Sequence, residues 1–255
     1  MHPVICKIGP ITVYSYGLFF ALCFATGTIV AAWRAKRSGY DPGDIIDLAI
    51  AAFISGIIGG RLFHLFEAPR FYLDHPLSAL NVYQGGLVFY GALIGLMVCV
   101  IVFCRIRKLP TLTIMDFVAP GIMLGHVWGR IGCFMAGCCH GIPTDSWFGV
   151  AFKAAVDDIP RHPTQLYESA GNFVLFFVLL AVEKRWKYFP GFTFACYLLM
   201  YGFSRFMLEF IRGDERGEYL FGVLSMSQVI SMVGITLAVS FLVYMYRKRR
   251  EAPVV

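Results

Sequence analysis

Residues 13–37 read VYSYGLFFALCFATGTIVAAWRAKR. No charged residue falls between Val13 and Trp33, and Arg34, Lys36 and Arg37 close the run. An α-helix rises about 1.5 Å per residue and a bilayer's hydrocarbon core is about 30 Å thick, so this stretch is long enough to cross it. Six further apolar runs follow, near residues 44–66, 87–104, 111–128, 168–182, 190–210 and 225–246. The run at 111–128 is the weakest, because it carries Asp116, Pro120 and glycines. The pattern predicts an all-α polytopic membrane protein of about seven transmembrane helices, with residues 1–255 forming a single integral membrane domain.

Composition agrees. The 255 residues are 58% hydrophobic and 15% charged, where a soluble domain averages about 45–50% apolar and about 25% charged. Mean hydropathy is +0.68. The net charge of +6 does not point to nucleic acid, because the basic residues flank apolar runs in short clusters. Those clusters are Arg34, Lys36 and Arg37; Arg105, Arg107 and Lys108; Lys184, Arg185 and Lys187; and Arg247, Lys248, Arg249 and Arg250. They follow the first, third, fifth and seventh runs, so all four fall on one side, which the positive-inside rule makes the cytoplasm. The N-terminus is then outside and the C-terminus inside. Residues 1–12 lack a basic n-region and a small-residue cleavage site, so the first run is expected to stay as an uncleaved anchor.

The opposite side carries the longer connections, near 67–86, 129–167 and 211–224. They hold QGG at 84–86, GRIGCFMAGCC from 129, RHPTQLYE at 161–168 and RGDERGE from 212. Chemistry is therefore expected at the outer face. Arg61, Arg130 and Arg205 lie in or beside spans, and a charge at bilayer depth costs about 2.5–3.5 kcal/mol on the insertion scale. One reading is snorkelling, or pairing with Glu67, Asp116 or Glu209. The other is a site for an anionic head group, since guanidinium grips phosphate in a bidentate way. Tyr201, Arg205, Glu209 and Arg212 are spaced 4, 4 and 3, one helical stripe that must face protein or a wet cavity. An ion-pair ladder is compatible with that stripe.

Glycines at 91 and 95, and at 121, 125 and 129, form small-xxx-small series that favour close helix packing. Gly129, Gly132 and Gly137 would also let backbone approach a ligand. Cys23, Cys99, Cys104 and Cys196 lie within spans and read as packing residues. Cys133, Cys138, Cys139 and His140 cluster at the outer face, where three readings stand: a disulfide, a redox or thiol-transfer site, and a metal site of unusual C-x4-C-C-H spacing. His64, His126 and His162 read as packing or interfacial residues. Asp116 reads as a cap on its own helix start.

GRIGCFMAGCCHG at 129–141 resembles the signature of the prolipoprotein diacylglyceryl transferase family, close to G-R-x-G-N-F-x-N-x-E-x-x-G. The resemblance continues in order through IGPITVYSYGL at 8–18, GGR at 59–61, QGGLVFYGALIG at 84–95, DFVAPG at 116–121, RHPTQLYE at 161–168, YGFSRFMLEFIR at 201–212 and SMSQ at 225–228. Among the departures, Tyr90 stands where the family usually has histidine, Cys133 replaces the first signature asparagine, and Cys138 replaces the signature glutamate.

The resemblance implies transfer of the diacylglyceryl group of phosphatidylglycerol to the lipobox cysteine of a prolipoprotein. A thioether forms and glycerol phosphate is released, at the outer face of the bacterial inner membrane. Its partners are phosphatidylglycerol, the prolipoprotein signal peptide with its lipobox cysteine, and membrane lipid, with no nucleic acid, no cofactor and no assigned metal ligand. Arg130, Arg205 and Arg61 are the expected phosphatidylglycerol-binding residues. Arg130, Arg205, Tyr201, Tyr16 and Tyr90 are the expected catalytic set, and Cys133, Cys138 and Cys139 the disulfide or redox candidates. The alternatives are a divergent paralogue acting as a lipid-binding protein, or a thiol oxidoreductase using the three cysteines. Absence of an inverted repeat argues against a transporter.

Overall fold

The structure, a computed structural model, describes residues 3–9, 11–80, 85–152, 159–213 and 224–251. Gln84 of the QGG stretch and residues 214–218 of RGDERGE lie outside them. The helices are α1 (Ser15–Arg37), α2 (Pro42–Glu67), α3 (Pro69–Asp74), α4 (Phe89–Ile106), α5 (Thr111–Ala136), α6 (Thr164–Trp186), α7 (Phe192–Leu208) and α8 (Met226–Glu251). A 3-10 turn, Glu209–Ile211, prolongs α7. Seven of these helices, all but α3, are long and apolar enough to cross a membrane, one for each run read from the sequence. The basic clusters fall in or just beyond the last turns of α1, α4, α6 and α8, where cations also meet the negative end of the helix dipole.

Two boundaries differ from expectation. The N-terminal segment forms an antiparallel hairpin, β1 (Val4–Ile8) with β2 (Ile11–Tyr14), and the Ser15 amide donates to the Pro3 carbonyl at 2.9 Å. Val13 and Tyr14 thus belong to a strand and not to the first span. The fourth run continues well past residue 128, to Ala136, so Arg130 and Cys133 are helical and not in a connection. A second small pair, β3 (Val150–Ala151) with β4 (Pro160–Arg161), lies between α5 and α6.

The chain forms two compact units, one of Ala32–Ile114 and one of Met1–Ala31 with Met115–Val255. In the Ala32–Ile114 unit, α2 and α4 lie backbone to backbone through glycine. A Cβ on Gly95 would sit 2.5 Å from the Ser55 carbonyl oxygen, and one on Gly59 would sit 3.1 Å from the Gly95 Cα. Only hydrogen in place of a side chain permits this approach. Asp41 caps α2 by accepting the Gly43 amide at 2.8 Å, with Pro42 at the first helical position.

In the other unit, α5 is packed on several sides. Its Gly121 and Gly125 meet Gly27 and Cys23 of α1, and its Val127 carbonyl accepts from Ser169 of α6 at 3.1 Å. Ala119 and Met123 of α5 join Leu179, Phe189, Phe192, Cys196 and Tyr197 in the apolar core. The run that looked weakest is thus the one most shielded by protein, with half of its apolar window buried against 11–28% elsewhere. Lipid-facing helices must be apolar all round; a helix surrounded by protein need not be. Asp116 corrects another expectation. It lies inside α5 and does not cap it. Its carboxylate accepts the amides of Gly191 at 2.9 Å and Phe194 at 3.0 Å, capping the start of α7 instead. The Lys187 ammonium stands 3.4 Å away.

Candidate active site

The site grows from the last two turns of α5. Arg130 follows His126 by one turn and faces α6 and α7. Its Nε lies 2.9 Å from Glu168 Oε1, and its guanidinium is within electrostatic reach of the Tyr201 hydroxyl. Glu168 is 3% exposed and Arg130 18%, so this is a buried ion pair whose desolvation has to be offset by contacts on both partners. Below it, the His126 ring stacks on Tyr201 with centroids 4.4 Å apart. His126 Nε2 is 3.1 Å from the Tyr197 hydroxyl. Tyr197, Tyr201 and Arg205 sit on one face of α7 at helical spacing, opposite His126 and Arg130.

Arg205 is the second buried cation. Its Nη1 lies 2.6 Å from Glu209 Oε2, and its Nη2 donates to Ser227 Oγ of α8 at 3.2 Å. The ladder read from the sequence is thus present between Arg205 and Glu209. It stops there, because α7 has become a 3-10 turn and Arg212 is drawn off into a backbone bridge with Gly141.

Beyond Arg130, α5 ends in a Schellman motif. The Cys138 amide donates to the Cys133 carbonyl at 3.2 Å and the Gly137 amide to the Phe134 carbonyl at 3.1 Å, with Gly137 at φ +79°. Cys139 also has positive φ, +67°, a conformation that costs a non-glycine residue about 1–2 kcal/mol. Two side chains from the start of α6 hold it there. Thr164 Oγ1 donates to the Cys139 carbonyl at 2.8 Å, and Gln165 Nε2 to the Cys138 carbonyl at 2.6 Å.

The result is three sulfurs, of Cys133, Cys138 and Cys139, all within 4.8 Å of one another. Hydrogen bonds from the Cys133 and Cys138 thiols hold the Cys139 thiol well below its ordinary range, and the Arg212 and Arg130 charges add to this. Tyr16, in the first turn of α1, lies within electrostatic reach of the three sulfurs and of Arg130. His140 does not join them. Its ring packs against Phe152 at 5.3 Å.

Gly141 locks the next stretch. Its amide donates to the His162 carbonyl at 2.8 Å, and a Cβ there would lie 2.7 Å from both His162 Cβ and the Ile211 carbonyl oxygen. No larger residue allows three segments to meet so closely.

Arg61 and Tyr90 belong to the Ala32–Ile114 unit. Arg61 is buried and donates to the carbonyls of Ala79 at 2.9 Å, Gly85 at 2.7 Å, Gly86 at 3.1 Å and Ser78. It thereby organises the segment before α4. Tyr90 stands in the first turn of α4, 40% exposed, with its ring edge-on to Phe89. His64 bonds the Tyr72 hydroxyl at 2.7 Å.

The structure thus brings Arg130, Tyr201, Tyr16 and the three cysteines together in one unit, with Arg205 on the same helix face as Tyr201. Sequence reading missed Glu168, Thr164 and Gln165. Their signal was RHPTQLYE itself, a polar run that ends at a carboxylate inside a span.

These features define a multi-pass membrane protein built around buried, carboxylate-paired arginines beside a thiol cluster. Residues 3–244 match the family described as prolipoprotein diacylglyceryl transferase, and the chain belongs to that family. A protein of Clostridium tetani named phosphatidylglycerol–prolipoprotein diacylglyceryl transferase is 36% identical over 242 residues, covering 94% of this chain and 96% of its own. Proteins of the same name from Cupriavidus pinatubonensis and Nitrosomonas europaea are each 35% identical. They cover 98% and 96% of this chain, and 93% and 90% of their own lengths.

Proposed function

We propose that this protein transfers the diacylglyceryl group of phosphatidylglycerol to the lipobox cysteine of a prolipoprotein, at the outer face of a bacterial inner membrane. The substrate thiolate attacks the glyceryl carbon that carries the phosphate. The C–O bond breaks, its electron pair leaves with the phosphate oxygen, and glycerol phosphate departs with a second negative charge. The observation that carries this reading is Arg130, a largely shielded cation paired with the buried Glu168 on the helix that bears the family signature.

Negative charge builds on the leaving phosphate, and a cation already oriented in a water-poor site stabilises it most. Glu168 occupies the Nε edge of Arg130. Guanidinium carries five N–H donors, more than Glu168 and one phenol oxygen can occupy, so donors remain for the phosphate. Arg205 is assigned to the same head group and Tyr16 to the reacting end of the site. Arg61 supports the segment that leads into α4, where Tyr90 takes the position at which the family usually carries histidine. The orientation, with the N-terminus outside, follows from the four basic clusters.

The experiment is transfer of labelled diacylglycerol from phosphatidylglycerol to a lipobox peptide by the full chain purified in detergent. Wild type should form the thioether product and Arg130→Ala should form none. A well-folded wild type that binds phosphatidylglycerol without turnover would mark a lipid-binding protein instead.

A further inference from the structure

Three cysteines converge beside Arg130, and nothing in the transfer scheme uses them. The sulfurs of Cys133, Cys138 and Cys139 lie within 4.8 Å of one another. A disulfide would consume two of them and leave the third without purpose. A thiophilic cation would use all three. With a Zn–S bond of about 2.3 Å and tetrahedral angles, three thiolates on one zinc ion stand about 3.8 Å apart. The observed sulfurs need only a small inward turn to reach that spacing.

The frame around them suits a fixed ligand set. Cys133 is on the last turns of α5, Cys138 follows the Schellman turn, and Cys139 is held at positive φ. Thr164 and Gln165 pin the carbonyls of Cys139 and Cys138, so the two thiols are positioned by bonds to a second helix. Three thiolates on a divalent cation carry a net charge of −1. Arg130 and Arg212 place positive charge toward Cys139, which offsets it. Cys138 is exposed while Cys133 and Cys139 are partly buried, so the cluster is closed on one side and open on the other.

Three protein ligands with an open fourth position is the arrangement of a catalytic zinc site and not of a structural one. We propose that Cys133, Cys138 and Cys139 bind one thiophilic divalent cation, zinc in its natural state, whose open position takes the thiol of the incoming substrate peptide. This rests on the transferase reading above and deepens it. A thiol that coordinates such a cation is deprotonated outright. The substrate S–H bond breaks, its proton passes to solvent, and the sulfur keeps the electron pair. That pair forms the new S–C bond as the C–O bond to phosphate breaks. The chain has Tyr90 at the position where the family usually carries histidine, so no imidazole is available there. A cation at the cysteines supplies the missing activation.

The test uses the full chain purified in detergent without chelator, with zinc and cobalt(II) as the probes. Elemental analysis should find about one zinc per chain, and cobalt substitution should give sulfur-to-cobalt charge-transfer and tetrahedral ligand-field bands. Cys133→Ser, Cys138→Ser and Cys139→Ser should each weaken cobalt binding at least tenfold, and Cys6→Ser should leave it unchanged. A peptide with a lipobox cysteine should alter the cobalt spectrum, and the same peptide with serine should not. A disulfide between any two of the three cysteines, or no uptake by reduced protein, overturns the site. Uptake with no response to the cysteine peptide overturns the substrate-thiol role. Full transfer by metal-stripped protein overturns the inference and leaves the transferase reading standing. A peptide-dependent cobalt spectrum without any transfer supports the site and overturns the transferase reading.

Discussion

Arg130 Nε and Glu168 Oε1 are 2.9 Å apart, and the pair joins the last turns of α5 to the first turns of α6. The two residues are 38 apart in sequence (168 − 130), and each would be a stranded charge without the other.

Removing one partner should therefore cost more than the pair contributes. Glu168→Gln is expected to destabilise the folded protein by about 3 kcal/mol, because it leaves a buried guanidinium uncompensated. Unfolding in detergent followed by tryptophan fluorescence measures this. Arg130→Lys keeps the charge but loses the planar fork, and transfer should fall on the order of 100-fold. Equal activity of the lysine variant would show that charge alone suffices.

Arg205 and Glu209 form a separate buried pair. Arg205→Met and Glu209→Leu should each destabilise, and the double variant should be no worse than the poorer single one. The expected coupling is about 2 kcal/mol, read from a double-mutant cycle on the unfolding midpoint. Simple additivity would mean that the two side chains act independently.

Asp116 accepts two amides at the start of α7 and touches none of the reacting groups. Asp116→Ala should lower stability by about 2 kcal/mol. Asp116→Asn should recover part of that. Transfer per folded molecule should stay near wild type in both. A large loss of specific activity at unchanged stability would assign Asp116 a different role.

Two glycines of the same series on α5 should respond in opposite ways. A Cβ on Gly121 would press into the Gly27 backbone, whereas one on Gly129 meets nothing within 4 Å. Gly121→Ala should destabilise by about 1–3 kcal/mol through overpacking. Gly129→Ala should be neutral or gain up to about 1 kcal/mol of helix propensity. If Gly129→Ala instead keeps its stability and loses transfer, the substrate approaches the backbone there.

The seven spans were legible because bilayer thickness fixes run length, and no tertiary contact is needed to see a run of that size. The end of α5 was not. Arg130 reads as the close of a span by any local pattern, and its partner Glu168 is visible only after folding. Asp116 misled for the same reason: a carboxylate near a helix start caps that helix by default, but its acceptor geometry here serves Gly191 and Phe194, some 75 residues on. The cysteines were legible as a group, while the exclusion of His140 was not, because only the packing of Phe152 turns its ring away. Arg61 read as a ligand-binding charge; its bonds to the carbonyls of Ser78, Ala79, Gly85 and Gly86 were not legible, because they close only on folding.

The polar load of α5 also bears on how the chain is made. This helix carries Asp116, Pro120 and Arg130 and has the lowest hydropathy of the seven, so on its own it partitions poorly into lipid. Its partners Glu168 and Gly191 emerge from the ribosome only after it does. During that interval α1, already inserted, offers Gly27 and Cys23 to the faces of Gly121 and Gly125. The first span is thus expected to shelter α5, and substitutions at Gly27 should first be felt as failed membrane insertion and lowered yield, before any effect on turnover.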